Sequence, residues 1–490
     1  MTERTKENLR KTLSVVLLLA VWQAAAMLLN KSILLCSPVD VFLRLLTIWK
    51  EDGFFASVWF SIRKIAGGWL LAFALGVLLA VLAGKFRPVE ILLRPVMVTI
   101  KSVPVASFII IALVWLSSRQ LSVFISFLIV LPVIYNNVLA GIRNIDPKML
   151  QMADLFRFSF RKRFLYIWLP AIKPYLLSGV SIALGMAWKS GIAAEVIGIP
   201  SGSIGERLYE AKAYLNTVDL FSWTVVIVLV SILFEKLFLA LLQLFYRWLE
   251  TGSPEILTRQ KTAGKAASKG TGTGKSIEFN SIQKDGNKQT KGSVQENGAI
   301  RIRSLDKSFG EKHVLKGLDL SVPYGKITCL MGPSGCGKTT LFRILMGFEQ
   351  ADAGEITGIP EPISSVFQED LLAEDFSVMT NILMPCNFAS GAEEAPARQK
   401  ALELLKKTGL DVQPEQKVRE LSGGMKRRVA ILRALMPESR LLLLDEPLKG
   451  LDEKNRNDVI DVLRSYEGTI LMVTHDPGEA ELLGAEILKM

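Results

Sequence analysis

Six long, nearly uncharged apolar runs occupy the first 250 residues of this 490-residue chain. They lie at roughly Thr12–Leu29, 67–84, 90–116, 121–141, 174–196 and 221–246. A helix needs about 20 apolar residues to cross the hydrocarbon core of a bilayer. Lipid offers no partner to a free backbone N–H or C=O, so such runs must be helical there. Residues 1–250 are therefore expected to be an all-α domain of six membrane spans. The same runs explain a mean hydropathy of +0.33, high for a soluble chain. The first run follows Arg4, Lys6, Arg10 and Lys11. It is long for the apolar core of a signal peptide and five more runs follow, so it is read as an uncleaved span.

The net charge of +11 does not indicate nucleic acid. The basic residues cluster beside the runs and in residues 251–297. Segment 142–173 holds Arg143, Lys148, Arg157, Arg161, Lys162, Arg163 and Lys173, whereas segment 197–220 mixes Glu206, Arg207, Glu210, Lys212 and Asp219. The positive-inside rule then puts the N-terminus, the turn at Lys85 and Arg87, segment 142–173 and the second half in the cytosol. Lys101, Lys189 and Glu195 lie in or near spans, where facing lipid costs several kcal/mol. They either line a path or are used structurally. Pro104 and Pro132 are expected to break or kink their helices. The four cysteines, Cys36, Cys329, Cys336 and Cys386, show no CxxC spacing, so neither a disulfide framework nor a zinc site is expected.

Residues 251–297 are rich in Lys, Gly, Ser, Thr, Gln and Asn. They cannot bury enough apolar surface to offset their ordering entropy, and are read as a flexible cytosolic tether.

Residues 298–490 carry a second kind of chemistry. The apolar stretch Lys326–Met331 runs into Gly332-Pro333-Ser334-Gly335-Cys336-Gly337-Lys338-Thr339-Thr340. Strand, glycine loop and helix is the setting of a phosphate-binding loop. Its glycines let backbone N–H groups face phosphates, Lys338 adds charge, and Thr339 offers a hydroxyl to Mg²⁺. ATP and Mg²⁺ are the expected ligands. Leu441–Leu444 read as a buried parallel strand ending in Asp445, a second candidate for the metal.

Leu421-Ser422-Gly423-Gly424, placed about two dozen residues before Asp445-Glu446-Pro447, resembles the signature of ABC transporter nucleotide-binding domains. The resemblance implies an α/β P-loop NTPase fold for residues 298–490. It implies Glu446 as general base, His475 as the switch histidine at the γ-phosphate, and Gln368 as the residue sensing Mg²⁺ and the attacking water. Phe309 would stack on adenine, and Asp452 would lie in the D-loop. Ser422, Gly423 and Gly424 would close over the nucleotide of another domain, with free N–H groups at a helix start. Since the chain has one signature and one phosphate loop, a homodimer is implied. Met425 stands where Gln is frequent, and leaves those N–H donors intact.

Segment 142–173 is similar to the coupling loop of ABC importer permeases, through Ala153, Leu169 and Pro170. Gln151, Met152 and Arg157 depart from that pattern, Arg157 standing where glycine is expected. Ser37-Pro38-Val39-Asp40, Ser61–Gly68, Ser102–Ala106 and Ala193–Gly198 resemble permeases of the nitrate/sulfonate/taurine group. The family implies ATP-driven import of a small solute across the bacterial plasma membrane. It also implies a multi-pass chain in membrane lipid, a cytoplasmic ATP-binding domain and an extracytoplasmic solute-binding protein. Nitrate, sulfonates, other small oxyanions and pyrimidine-type vitamin precursors are the implied solutes. An exporter half-transporter is the alternative, disfavoured by a membrane half of only about 250 residues with short inner turns. A membrane sensor is a third reading, for which no output domain is encoded.

Overall fold

The computed structural model describes residues 3–29, 31, 33–251, 298–388 and 391–490. Apart from Thr251, the expected tether 251–297 lies outside the described residues. The chain divides into two compact units, residues 1–145 with 168–246, and residues 146–167 with 247–490.

The first unit is helical: α1 (Glu3–Leu29), α2 (Pro38–Ile48), α3 (Phe54–Lys85), α4 (Arg87–Ser102), α5 (Val105–Leu113), α6 (Ser118–Arg143), then α9 (Leu169–Gly198), α10 (Ile204–Ala213) and α11 (Thr217–Thr251), whose last turns pass into the second unit. Among the described residues, Phe54–Lys85, Ser118–Arg143, Phe160–Gly198 and Thr217–Glu250 are each long and apolar enough to cross a membrane. The expected first span corresponds to Leu13–Leu29, a shorter apolar helix. The expected span 90–116 is not one rod. It is the pair α4 and α5, bent by 99° at Val103-Pro104. Proline lacks the N–H that would continue the helix and pushes the residue before it into extended backbone. Val103 accordingly has φ −81° and ψ 131°.

Small residues bring α3, α6 and α9 together. A Cβ on Gly68 would lie 2.3 Å from the carbonyl oxygen of Val123, and one on Gly191 would lie 2.6 Å from Cγ1 of Ile65. Close approach of this kind is how helices gain contact where lipid offers no hydrophobic drive. Trp69 and Trp188 fill the resulting core. Glu195 is fully buried, and accepts from Ser61 Oγ at 2.6 Å and from the Gly205 N–H at 3.3 Å. It ties α3 and α10 to α9. Lys101 and Lys189 are exposed on the single chain.

In the second unit, β1 (Ala299–Phe309), β2 (Lys312–Pro323) and β4 (Ala353–Thr357) form an antiparallel sheet of order β2-β1-β4. A five-stranded parallel sheet has order β5-β6-β7-β3-β8, from β5 (Ile363–Val366), β6 (Leu441–Asp445), β7 (Thr469–Val473), β3 (Ile327–Met331) and β8 (Glu486–Lys489). Every residue of β6 and β7 is buried, which suits strands covered on both faces. The helices are α12 (Lys338–Leu345), α13 (Val378–Leu383), α14 (Gly391–Lys407), α15 (Gly423–Leu435), α16 (Glu453–Arg464) and α17 (Pro477–Leu483). Segment 146–167 belongs to this unit and supplies α7 (Pro147–Leu155) and α8 (Phe160–Arg163).

Candidate nucleotide site

Strand order places the site. β3, β7 and β6 are neighbours, and register pairs Leu330 with Val473 and Asp445 with Val473. The loops after these three strands therefore emerge at one edge, the carboxyl end at which open parallel sheets bind ligands. Those loops carry residues 332–337, Glu446 and His475.

The glycine loop leads into α12. Gly335 and Gly337 have φ of 84° and 105°, a region that side chains strain to enter. A Cβ on Gly332 would lie 2.6 Å from the Met490 carbonyl oxygen, and one on Gly337 would lie 2.5 Å from Leu315. Ser334 and Cys336 complete the loop's turn, with the Cys336 N–H donating to the Pro333 oxygen at 3.4 Å. Lys338 is 6% exposed, and its Nζ donates to the carbonyl oxygens of Gly332 at 2.8 Å and Pro333 at 3.0 Å. Thr339 and Thr340 open α12. Thr339 Oγ1 donates to Asp445 Oδ2 at 3.4 Å. Burial pushes the Asp445 carboxyl above its ordinary pKa, with Glu446 adding to the effect, while Thr339, Arg427 and Lys338 oppose it.

Glu446 sits at φ 48°, left-handed backbone that a non-glycine residue adopts only when its surroundings hold it. Its Oε1 lies 3.1 Å from His475 Nε2, and its Oε2 accepts from Lys449 Nζ at 2.8 Å. The Lys449 hydrogen bond holds the carboxyl below its ordinary range, against partial burial. Gln368, after β5, lines a 110 Å³ cavity with Thr339, Arg343 and Asp445.

The other predicted residues lie apart from this cluster in role. Ser422 and Gly423 are exposed at the start of α15, where no side chain caps the helix; Gly424 follows, closer packed. Asp452 caps α16, accepting from the Asn455 N–H at 2.9 Å. Phe309 ends β1 with 47% of its surface open, and Lys307 Nζ sits 5.1 Å from its ring centroid.

Residues 146–167 pack within this unit. Met152 and Ala153 of α7 are fully buried. Lys148 Nζ donates to Glu369 Oε1 at 2.5 Å, beside Gln368, and Arg343 of α12 donates to Gln151 Oε1 at 3.4 Å. Lys162 Nζ donates to the carbonyl oxygens of Met384 at 2.9 Å and Cys386 at 2.5 Å. Arg157 has φ 51° and is held by Glu361 Oε2 at 2.6 Å. The departure from glycine at this position thus occupies backbone that glycine adopts without strain.

Two residues escaped the sequence reading, Lys449 and Arg427. The signal for Arg427 was available. Lys426, Arg427 and Arg428 stand in the first turns of α15, where the helix dipole disfavours cations, so such a run asks for buried acceptors.

Residues 315–449 match the family model described as "ABC transporter", and residues 72–252 match "Binding-protein-dependent transport system inner membrane component". The aliphatic sulfonates import ATP-binding protein SsuB 1 of Nocardia farcinica is 40% identical over 195 residues, which is 39% of this chain and 77% of that protein. The chain belongs to the ABC transporter family. Other ABC relatives match the same half. The sulfate/thiosulfate import ATP-binding protein CysA of Neisseria meningitidis is 38% identical over 209 residues, 39% of this chain and 58% of its own length. The spermidine/putrescine import ATP-binding protein PotA of Chromobacterium violaceum is 40% identical over 205 residues, 39% of this chain and 56% of its own length. The chain thus spans under two thirds of the length of these last two relatives. In this ABC protein a permease-type region and an ATP-binding cassette share one polypeptide.

Proposed function

We propose that two copies of this chain form an ATP-driven importer in the bacterial plasma membrane, with the cassettes in the cytoplasm. The observation that carries the reading is the seat of α7. A segment flanked by permease helices packs in the cassette's own unit, with Lys148 paired to Glu369 beside Gln368. The match of residues 72–252 to a binding-protein-dependent component supports the inward direction and an extracytoplasmic binding protein.

The residues present fit a nucleotide. Gly332 and Gly337 stand where a Cβ would collide, and Lys338 already holds two oxygen acceptors that phosphate oxygens can replace. Thr339 and Asp445 offer the hard oxygen donors that Mg²⁺ takes, and such an ion supplies positive charge to phosphate oxygens. Phe309 stacks on the adenine. Glu446 takes a proton from the attacking water, while Gln368 orients that water. His475 stays within reach of both Glu446 and the γ-phosphate. Ser422, Gly423, Gly424 and Asp452 complete the site of the second copy. Catalysis is chiefly positioning plus electrostatic stabilisation. The sulfonate relative and the permease resemblance favour a small oxyanion, with sulfonates first.

Reconstitution in liposomes tests the proposal. ATP hydrolysis should rise when a sulfonate-loaded binding protein is added on the outer face. Hydrolysis indifferent to any binding protein, together with ATP-driven solute entry into inside-out vesicles, would end the importer reading. Glu446→Gln should bind ATP, trap a dimer and lose turnover. Full turnover in that variant would remove Glu446 as the base.

A further inference from the structure

Arg427, on the second turn of α15, is 5% exposed and has a hydrogen-bond acceptor for every donor of its guanidinium. Nε donates to the carbonyl oxygen of Pro447 at 3.0 Å. Nη2 donates to those of Asp445 at 2.7 Å and Glu446 at 2.8 Å. Nη1 turns to the other loop, to the carbonyl oxygens of Phe367 at 2.6 Å and Gln368 at 3.4 Å, and to Asp370 Oδ1 at 3.1 Å. One planar fork thus spans the loop after β5 and the loop after β6. It takes three successive carbonyls around Glu446, the residue held at φ 48°. A lysine, a single point donor on a flexible stem, cannot reproduce this arrangement.

We infer that Arg427 is a positioning residue for hydrolysis, fastening the Gln368 loop to the Glu446 loop so that both side chains address one phosphate. The inference rests on the roles proposed above for Glu446 and Gln368. Arg427 hydrogen-bonds to neither the glycine loop nor Phe309 in the described residues, so nucleotide affinity is set elsewhere. Loosening the fork displaces the reacting groups and leaves the phosphate cradle in place. The effect therefore falls on kcat.

The test uses the full-length protein in detergent, with Arg427→Lys and Arg427→Gln. A fluorescent ATP analogue reads Kd, steady-state hydrolysis reads kcat, and hydrogen exchange reads segments 332–340, 367–370 and 445–447. Both variants should keep the wild-type Kd. Their kcat should fall on the order of a hundredfold, the cost of about 1 Å of misplacement. Exchange should rise together in 367–370 and 445–447 and stay unchanged in 332–340. Wild-type kcat in both variants, or restoration by lysine alone, overturns the proposal. Should exchange rise throughout the domain, the fold has been lost, and Asp370→Asn decides: a smaller kcat loss with the same two-loop exchange supports the fork, and no change in either overturns it. Glu446→Gln is run in parallel. If it keeps turnover, the general-base reading fails on its own, while the two-loop exchange still decides whether Arg427 joins the loops.

Discussion

Lys449 Nζ donates to Glu446 Oε2 at 2.8 Å across a single turn, whose backbone closes with the Lys449 N–H on the Glu446 carbonyl oxygen at 3.3 Å. His475 takes the other carboxylate oxygen. The proposed base is therefore held at both oxygens, once by a residue the family resemblance did not point to.

Removing that lysine should change the pH dependence of hydrolysis. The groups that face Glu446 are Lys449, His475, Asp445, Arg427 and, more remotely, Glu479. Lys449 makes the largest contribution to the lowered carboxyl pKa. For a carboxyl depressed in the folded state, the pair's stabilisation is present above the unfolded pKa and is lost as pH falls through the folded pKa. Lys449→Met should thus raise the acid limb of the kcat profile toward the ordinary carboxylate range, about 4.3 for Glu. A pH–rate profile with the acid limb unmoved would remove Lys449 from any influence on the base.

Arg157 offers a stability test. Left-handed backbone costs a side-chain-bearing residue roughly 1–2 kcal/mol. Its ion pair with Glu361 is exposed on both sides, a class worth about 0–1 kcal/mol. Strain outweighs the pair, so Arg157→Gly should hold or raise the thermal midpoint of the cassette. Arg157→Ala keeps the strain and loses the pair, and should lower it. A glycine variant less stable than the alanine variant in the same melt would contradict the backbone argument.

Gly68 tests the membrane unit. An added methyl group meets backbone, the Val123 carbonyl oxygen, so no rotamer change relieves it. Gly68→Ala should cost on the order of 1–3 kcal/mol by overpacking α3 against α6. Gly67 has no neighbour within reach of an added Cβ, and Gly67→Ala should be tolerated. Thermal unfolding in detergent of the two alanine variants checks this, and equal midpoints would remove the contact as a constraint.

What could be read in the sequence follows the range of the interactions. The glycine loop, the strand before it and α12 are one continuous stretch, and their residue types suffice to place them. The four leucines of β6 announced a strand buried on both faces. Hydropathy marked 90–116 as apolar, but a windowed average carries no direction, so the 99° bend at Pro104 was visible only as a proline. Arg427 and Lys162 were harder because their acceptors are remote, up to 60 residues away for Arg427 and 225 for Lys162. The basic run 426–428 signals a need for buried acceptors, but no local pattern says which carbonyls they are. In the sequence Glu195 reads only as lining a path or serving structurally. Its Ser61 and Gly205 partners come from α3 and α10, which only the packing brings together.

The place of residues 146–167 has a consequence for synthesis. The cassette is assembled from two stretches, with Lys162 bonded to a carbonyl 222 residues further along. At about 5–20 residues per second, the early stretch waits on the order of 10–45 s before its partners leave the ribosome. Met152, Ala153 and Phe156, buried at the end, are uncovered throughout that interval. A loop of the nascent permease-type region thus carries an apolar face that must be kept from other chains until its own cassette arrives.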